Sequence, residues 1–178
     1  PLGPRATVTV RHGQGYTRYA HDSRNLYQDL LVFVATDNPI KLACLTVRND
    51  GDRPRRLSAT YYAEWVLGTV RENAPLQVVC ECDPESGAIL ARNAWAGDFA
   101  GRIAFVGCGS PLKSFTADRS EFVGERGSIA SPDALKRTEL SGCTGPGLDP
   151  CAAVTTELTL SPGEMREVVF AVGQVDEL

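Results

Sequence analysis

Hydrophobic alternation with a period of two runs through most of this chain, and only one segment carries a helix start signal. The stretch SATYYAEWVLGTVRE (58–72) shows the pattern at its clearest. Leu57, Ala59, Tyr61, Ala63, Trp65 and Leu67 share one face, while Ser58, Thr60, Tyr62, Glu64 and Val66 share the other. Trp65 is therefore expected in a core and Glu64 on the wetter side. Although adjacent in sequence, the two cannot grip one sugar as a stacking ring with its carboxylate.

Further strands are read at 7–10, 25–35, 40–49, 76–82, 88–92, 102–107, 152–160 and 166–172. The run 40–49 is taken to turn Leu42, Cys44 or Leu45, and Val47 to one face, with a slip in the middle that a bulge would explain. NDGD (49–52), DPESG (83–87) and SPGE (161–164) carry tight-turn and hairpin chemistry. The helix signal is SPDALKR (131–137): Ser131 as cap, Pro132 in first position, Asp133 at the positive end of the dipole. Many strands, regular turns and almost no helix indicate an all-β, antiparallel sandwich with at most one or two short helices. Neither a repeat nor a low-complexity tract divides the chain, so residues 1–178 are read as one domain.

A chain of 178 residues buries a substantial core. Its net charge of −4 leaves no electrostatic footprint for nucleic acid, and the basic run RPRR (53–56) reads as a solvated corner. No run of about 18 apolar residues crosses a membrane. The start PLGPRATVTV lacks an apolar signal core, and its early alternation is expected of a boundary cut into a longer protein. Of the six cysteines, Cys44, Cys80 and Cys108 lie in apolar runs and Cys82, Cys143 and Cys151 complete the set; reduced thiols in a cytoplasmic setting are the reading, with a disulfide framework as the alternative. The C-x-C pair Cys80 and Cys82 is read as placing its thiols on opposite faces, unable to share one ion. Neither a metal nor another cofactor is expected.

Catalytic constellations are weak. Glycoside hydrolysis needs two carboxylates across a cleft, and nothing in the spacing of Glu64, Asp118 and Glu121 singles out a pair. His12 and His21 lie near the start without a completing ligand or acid. HGQGY is not a dinucleotide fingerprint, and SGCTGPGLDPC (141–151) lacks the Lys-Ser/Thr of a phosphate loop. The latter is read as a long loop wrapping the sandwich edge.

Taken in order, VRHGQGYTRY, YYAEWVLGTVRE, ESGAILARNAW, ADRSEFVG and SGCTGPGLDPCAAV with LTLSPGEMREVVFAVGQ span Val10 to Gln174. This ordered set resembles the β-sandwich domain of the inverting glycoside phosphorylases of the cellobiose and chitobiose phosphorylase type. Within that family the likeness is strongest to the phosphorylase-like region of bacterial cyclic β-1,2-glucan synthases. The resemblance implies a galactose-mutarotase-like supersandwich that precedes a helical (α/α)6 barrel carrying the catalytic acid and phosphate site. No catalytic residue of the family transfers to this chain, and kinship with mutarotases does not by itself bring their activity. The implied partners are the barrel of the same parent chain, a β-glucan and a second copy in a homodimer. The implied parent is a glycosyltransferase or glycoside phosphorylase, with an anchor in a bacterial inner membrane among the arrangements. Direct membrane insertion of this piece is not expected.

Within that frame Glu64 is expected to hold an interface or a loop. Asp118, Arg119 and Glu121, in the motif DR-x-EF-x-G, are expected to tie a loop into the sandwich by charge-assisted hydrogen bonds. Trp95 in RNAWAGDF (92–99) is the sugar-stacking candidate, with Arg92, Asn93 and Asp98 nearby to take hydroxyls. A ring stacked on a pyranose contributes about 1 kcal/mol; packing of Trp95 over the sandwich edge is the competing reading. Three functions follow: a non-catalytic accessory domain, a free-standing carbohydrate-binding module, and a mutarotase-like epimerase needing His12 or His21 beside Glu64.

Overall fold

The structure is a computed structural model that describes residues 7–124 and 126–176. The proline-rich opening, residues 1–6, and the last two residues of AVGQVDEL lie outside that range. Among the described residues eleven strands form two antiparallel sheets. The larger contains, in spatial order, β1 (Val8–Gly13), β2 (Tyr16–Ser23), β3 (Leu26–Val34), β4 (Ile40–Asn49), β11 (Met165–Asp176), β8 (Arg102–Cys108), β7 (Ile89–Asn93) and β6 (Val78–Cys82). The smaller contains β5 (Arg55–Glu64), β10 (Pro150–Leu160) and β9 (Ser114–Asp118). The all-β antiparallel sandwich expected from the period-two pattern is the fold observed. Among the described residues helix is confined to α1 (Ala74–Gln77), α2 (Arg119–Val123) and three 3-10 turns.

The core lies between the sheets. Ile89, Val106, Val168 and Phe170 from the large sheet meet Ala59, Val154, Leu158 and Leu160 from the small one. Tyr61 and Phe170 bring their rings to 5.4 Å across the gap. Trp65, just past the end of β5, is 6% exposed and belongs to this core. Glu64 leaves β5 on the other side, so the two neighbours part as the alternation predicts. The outer side of the small sheet carries a second cluster, with Phe122, Val123 and Ala134 on Ala153 and the Tyr62 ring stacked 4.5 Å from Phe122. Strand β10 is thus buried on both faces, which explains its nearly unbroken burial over PCAAVTTELTL.

Several local expectations change. Ala43, Val47 and Asn49 are buried on β4 and Leu45 packs with them, so the odd positions face the core. Pairing with β3 and β11 runs without a register shift, and the expected bulge is absent. Cys80 and Cys82 both belong to the inward side of β6, because positions two apart on a strand share a face. Residues 131–137 form only a 3-10 turn, Asp133–Lys136, without a side-chain cap. The chain doubles back just before it, with Ser128 and Ser131 exchanging backbone hydrogen bonds, and Pro132 stays extended. The helix instead forms at α2, where the Asp118 carboxylate accepts from the Ser120 amide and Gly124 ends it at φ 77°. Strands β2 and β9 were not foreseen.

DPESG closes the β6–β7 hairpin as read. NDGD and SPGE do different work: each carries the chain from one sheet to the other, β4 to β5 and β10 to β11. The two corners meet at Asn49, which is fully buried. Its Nδ2 donates to the carbonyls of Arg53 (2.8 Å) and Leu160 (3.1 Å), and its Oδ1 accepts from the Gly51 amide (3.1 Å). Its backbone bonds to the opposite corner through Glu164 and Gly163. Asn49→Ala would leave the buried Leu160 carbonyl without its partner and remove the part-buried bonds to the Arg53 carbonyl and the Gly51 amide. We expect a loss of about 3 kcal/mol, read as a lower urea midpoint at unchanged slope.

Candidate functional site: a cleft at the open end of the sandwich

Opposite the corners, β7, β8 and β11 run past the small sheet and their inward residues form the floor of a cleft of about 550 Å³. Asn93, Ala104 and Gln174 line the floor; the segment from Leu67 to Gln77 forms one wall and the loop holding Trp95 and Phe99 the other. Asn93 sets both walls. It is 3% exposed, its Nδ2 donates to the Leu67 carbonyl at 2.7 Å, and its Oδ1 accepts from the Trp95 amide at 2.9 Å. Leu67 sits at φ 41°, a left-handed conformation costly for a branched side chain, and the buried amide bond holds it there.

Two large rings stand exposed at the rim, Trp95 at 78% and Phe99 at 61% exposure. The Arg102 guanidinium lies 5.4 Å over the Phe99 ring. The remaining polar lining is amide and hydroxyl: Asn73, Gln77, Gln174 and Thr69. Among the described residues Arg102 is the one charged side chain in the lining; the Asp176 carboxylate lies 3.8 Å from its Nε but does not line the cleft. Rings with neutral hydrogen-bonding groups suit an uncharged polyhydroxyl ligand, whereas the two acids of glycoside hydrolysis are missing from the lining.

Trp95 and Asn93 therefore meet at the cleft, but Asn93 spends its amide on the backbone rather than on a ligand. Arg92 departs from the opposite face of β7, as its neighbour relation to Asn93 requires, with Nε buried and outside the lining. Asp98 lies exposed in the 3-10 turn Gly97–Phe99 and does not line the cleft either. Phe99, Gln77, Arg102 and Gln174 were missed. Gln174 and Ala104 are cross-strand partners, so this part of the floor exists only once β11 and β8 are in register.

Behind the Leu67–Gln77 wall stands a closed ring of four charges. Glu64 Oε1 accepts from Arg119 Nε at 2.8 Å, and Arg119 Nη1 reaches Asp149 at 3.4 Å. Asp149 accepts from Arg71 Nη2 at 2.6 Å, and Arg71 Nε returns to Glu64 at 3.6 Å. The Tyr62 hydroxyl adds a 2.7 Å bond to Glu64. All four ring members are about 30% exposed, and Arg71 sits between the cleft residues Val70 and Asn73. Burial pushes the Glu64 carboxyl up, but the hydrogen bonds from Arg119 and Tyr62 outweigh it and hold the group below its ordinary 4.5. Glu121 accepts from the amide (2.9 Å) and hydroxyl (2.6 Å) of Ser141, pinning the loop before β10. Asp118 is engaged as the cap of α2. His12 and His21 belong to the edge hairpin β1–β2 of the large sheet, with Nδ1 contacts to Thr17 and to the Thr7 carbonyl. Glu64 stands on the small sheet, and no described cleft brings it to a histidine.

The architecture is that of a galactose-mutarotase-like β-supersandwich. A GalM/aldose epimerase homologue from C. elegans superposes on 98% of this chain and 70% of its own with a TM-score of 0.55, at 12% identity. Sequence gives the narrower assignment: the description "Glycosyl hydrolase 94, supersandwich domain" matches residues 1–178, and the chain belongs to that family. It is 36% identical over 172 residues to the cyclic beta-(1,2)-glucan synthase NdvB of Rhizobium meliloti, covering 96% of this chain and 6% of that protein. It is 28% identical over 160 residues to the cellobionic acid phosphorylase of Neurospora crassa, covering 85% of this chain and 20% of that protein. The chain thus spans a small part of its curated relatives. No helix among the described residues is long and apolar enough to cross a membrane.

The lowered Glu64 carboxyl makes the ring pH-dependent. A carboxyl depressed in the folded state stabilises above its unfolded value, near 4.5, and loses that contribution as pH falls through the folded one. Glu64→Gln is therefore expected to cost about 1 kcal/mol at pH 7 and to converge on wild type as pH falls below 4.5 and through the folded-state value, seen in urea midpoints across that range.

Proposed function

We propose that residues 1–178 act as one non-catalytic, carbohydrate-associated unit of a longer glycosyl hydrolase 94-type protein, of the cyclic glucan synthase or phosphorylase kind. The unit supports the catalytic barrel of that protein on the cytoplasmic side and offers its end cleft to a glucan. The single observation that carries this reading is a cleft rimmed by two exposed aromatic rings and lined by amides, without a carboxylate in its lining among the described residues. Such a lining binds sugar faces and hydroxyls but supplies neither acid nor base to a glycosidic bond. Membership of the family and the likeness to NdvB support the parent's class. Glu64, Asp118, Arg119 and Glu121 serve in this reading as supports for the loops around the cleft and the barrel-facing surface.

Two ring contacts of about 1 kcal/mol each, with a few solvent-competed hydrogen bonds, give an affinity on the order of millimolar. Titration with linear β-1,2-gluco-oligosaccharides tests this through tryptophan fluorescence, since Trp65 is buried and Trp95 exposed. Saturable quenching that disappears in Trp95→Ala is the expected result, with no release of sugar or phosphate. An unchanged signal at tens of millimolar would remove the cleft from the glucan path and leave the supporting role alone.

A further inference from the structure

The face of the large sheet turned away from the small one carries a polar site unconnected to the cleft. Leu30 packs against the core, so its neighbour Asp29 points outward, yet Asp29 is only 6% exposed. A carboxylate buried on an outward face is costly unless it is paired. Asp29 is held by Arg18, whose Nε lies 2.8 and 2.9 Å from the two carboxylate oxygens, and by the Tyr27 hydroxyl at 2.8 Å. The Arg18 hydrogen bond, ahead of burial and of Tyr27, keeps the Asp29 carboxyl below its ordinary range.

The consequence falls on Arg18. Bound through Nε alone, it is fixed in direction while its two terminal nitrogens keep their N–H groups for something else, and the side chain is 51% exposed. Arg11 stands directly across from it in the β1–β2 register. Like charges in directly opposed strand positions destabilise a sheet. Arg11 makes no ion pair or side-chain hydrogen bond among the described residues, so Asp29 offsets one of the two positive charges and leaves the other. The two arginines, with Thr9, Ala20, Tyr27 and Asp29, line a depression of about 200 Å³.

We propose that this depression is an oxyanion site, built to take a phosphate group between the Arg11 and Arg18 forks. Asp29 and Tyr27 act there as positioning residues that aim Arg18, and Arg11 supplies the unbalanced charge. A guanidinium fork matches the spacing of phosphate oxygens, and a preset fork loses little entropy on binding. The group has two sources of the same chemistry, a small phosphate or sugar phosphate in solution and the headgroup of an anionic lipid.

The test uses the whole chain. Thermal unfolding is followed with inorganic phosphate and with glucose 1-phosphate, at ionic strength held constant with sodium chloride. Co-sedimentation with vesicles of phosphatidylcholine, with and without phosphatidylglycerol, forms the second arm. Arg11→Gln removes an exposed side chain without an ion partner, and Arg18→Lys keeps a cation for Asp29 while removing the fork. We expect a saturable rise in unfolding temperature whose half-saturation shifts about tenfold in either variant. Trp95→Ala should leave it untouched, which separates this site from the cleft. Vesicle binding dependent on Arg11 would assign the headgroup as source, and a response to the soluble phosphates alone would assign the small molecule. Wild type and both variants behaving alike in every arm would overturn the proposal.

Discussion

The sandwich depends on one buried amide. Two strands that neighbour each other in the large sheet, β4 and β11, are joined by corners to two that neighbour each other in the small sheet, β5 and β10. Both corners fall at the same end, and Asn49 binds them together with its side chain and its backbone. A buried corner leaves carbonyls and amides that no ladder can satisfy. Asn49 answers these with one donor group and one acceptor, a combination that neither aspartate nor an apolar residue supplies. With the sheets clamped at that end, the length of β7, β8 and β11 beyond the small sheet determines what happens at the other.

At that other end the mismatch between eight strands and three cannot be closed by more sheet. The chain fills it with irregular backbone, from Trp65 through α1 on one side and from Asn93 to Arg102 on the other. Such backbone needs partners and receives them singly: Asn93 bonds to Leu67 and to Trp95, and Arg71 joins the ring of Glu64, Arg119 and Asp149. Each member of the ring comes from a different element: the end of β5, a 3-10 turn, α2 and the loop before β10. The charges are too exposed for their attraction to rank with the core as a source of stability. Their work is geometric, fixing the direction of a wall that has little apolar packing of its own. The cleft is thus a by-product of sheet closure that local polar contacts have made rigid.

How much of this was legible in the sequence follows from which interactions are local. The two faces of β5 were readable because one face is dry, and the separation of Glu64 from Trp65 followed. The phase of β4 was misread because Leu42, Cys44 and Leu45 are all apolar, and only the partners in β3 and β11 decide which side goes inward. β2 was missed for the opposite reason: the β1–β2 hairpin projects past the small sheet, Val8, Val10 and Tyr19 stay exposed, and no dry face imposes a pattern. α2 did have signals, an aspartate cap and a terminal glycine, but they were read as charge chemistry. The turns were recognisable as turns, yet nothing local distinguishes a hairpin from a corner between sheets. In the candidate site Trp95 and Asn93 could be found as neighbours in one loop. Gln174 and Arg102 could not, since non-local strand register brings them to it.

The placement of carboxylates gives the sharpest division within the molecule. Glu64, Asp29, Glu121 and Asp118 are all committed, each holding an arginine, a loop or a helix end. Their hydrogen bonds hold the carboxyls of Glu64, Asp29 and Glu121 below their ordinary range, which does not suit a group that must give or take a proton near neutrality. The end cleft is lined by rings and amides and has no acid in its lining among the described residues. On the far face one acid is spent on directing a guanidinium, leaving a cationic depression on a chain whose net charge is −4. The neutral, amide-lined cleft and the two-arginine depression thus lie on separate surfaces, and Glu64, Asp29, Glu121 and Asp118 are each spent on orienting other groups.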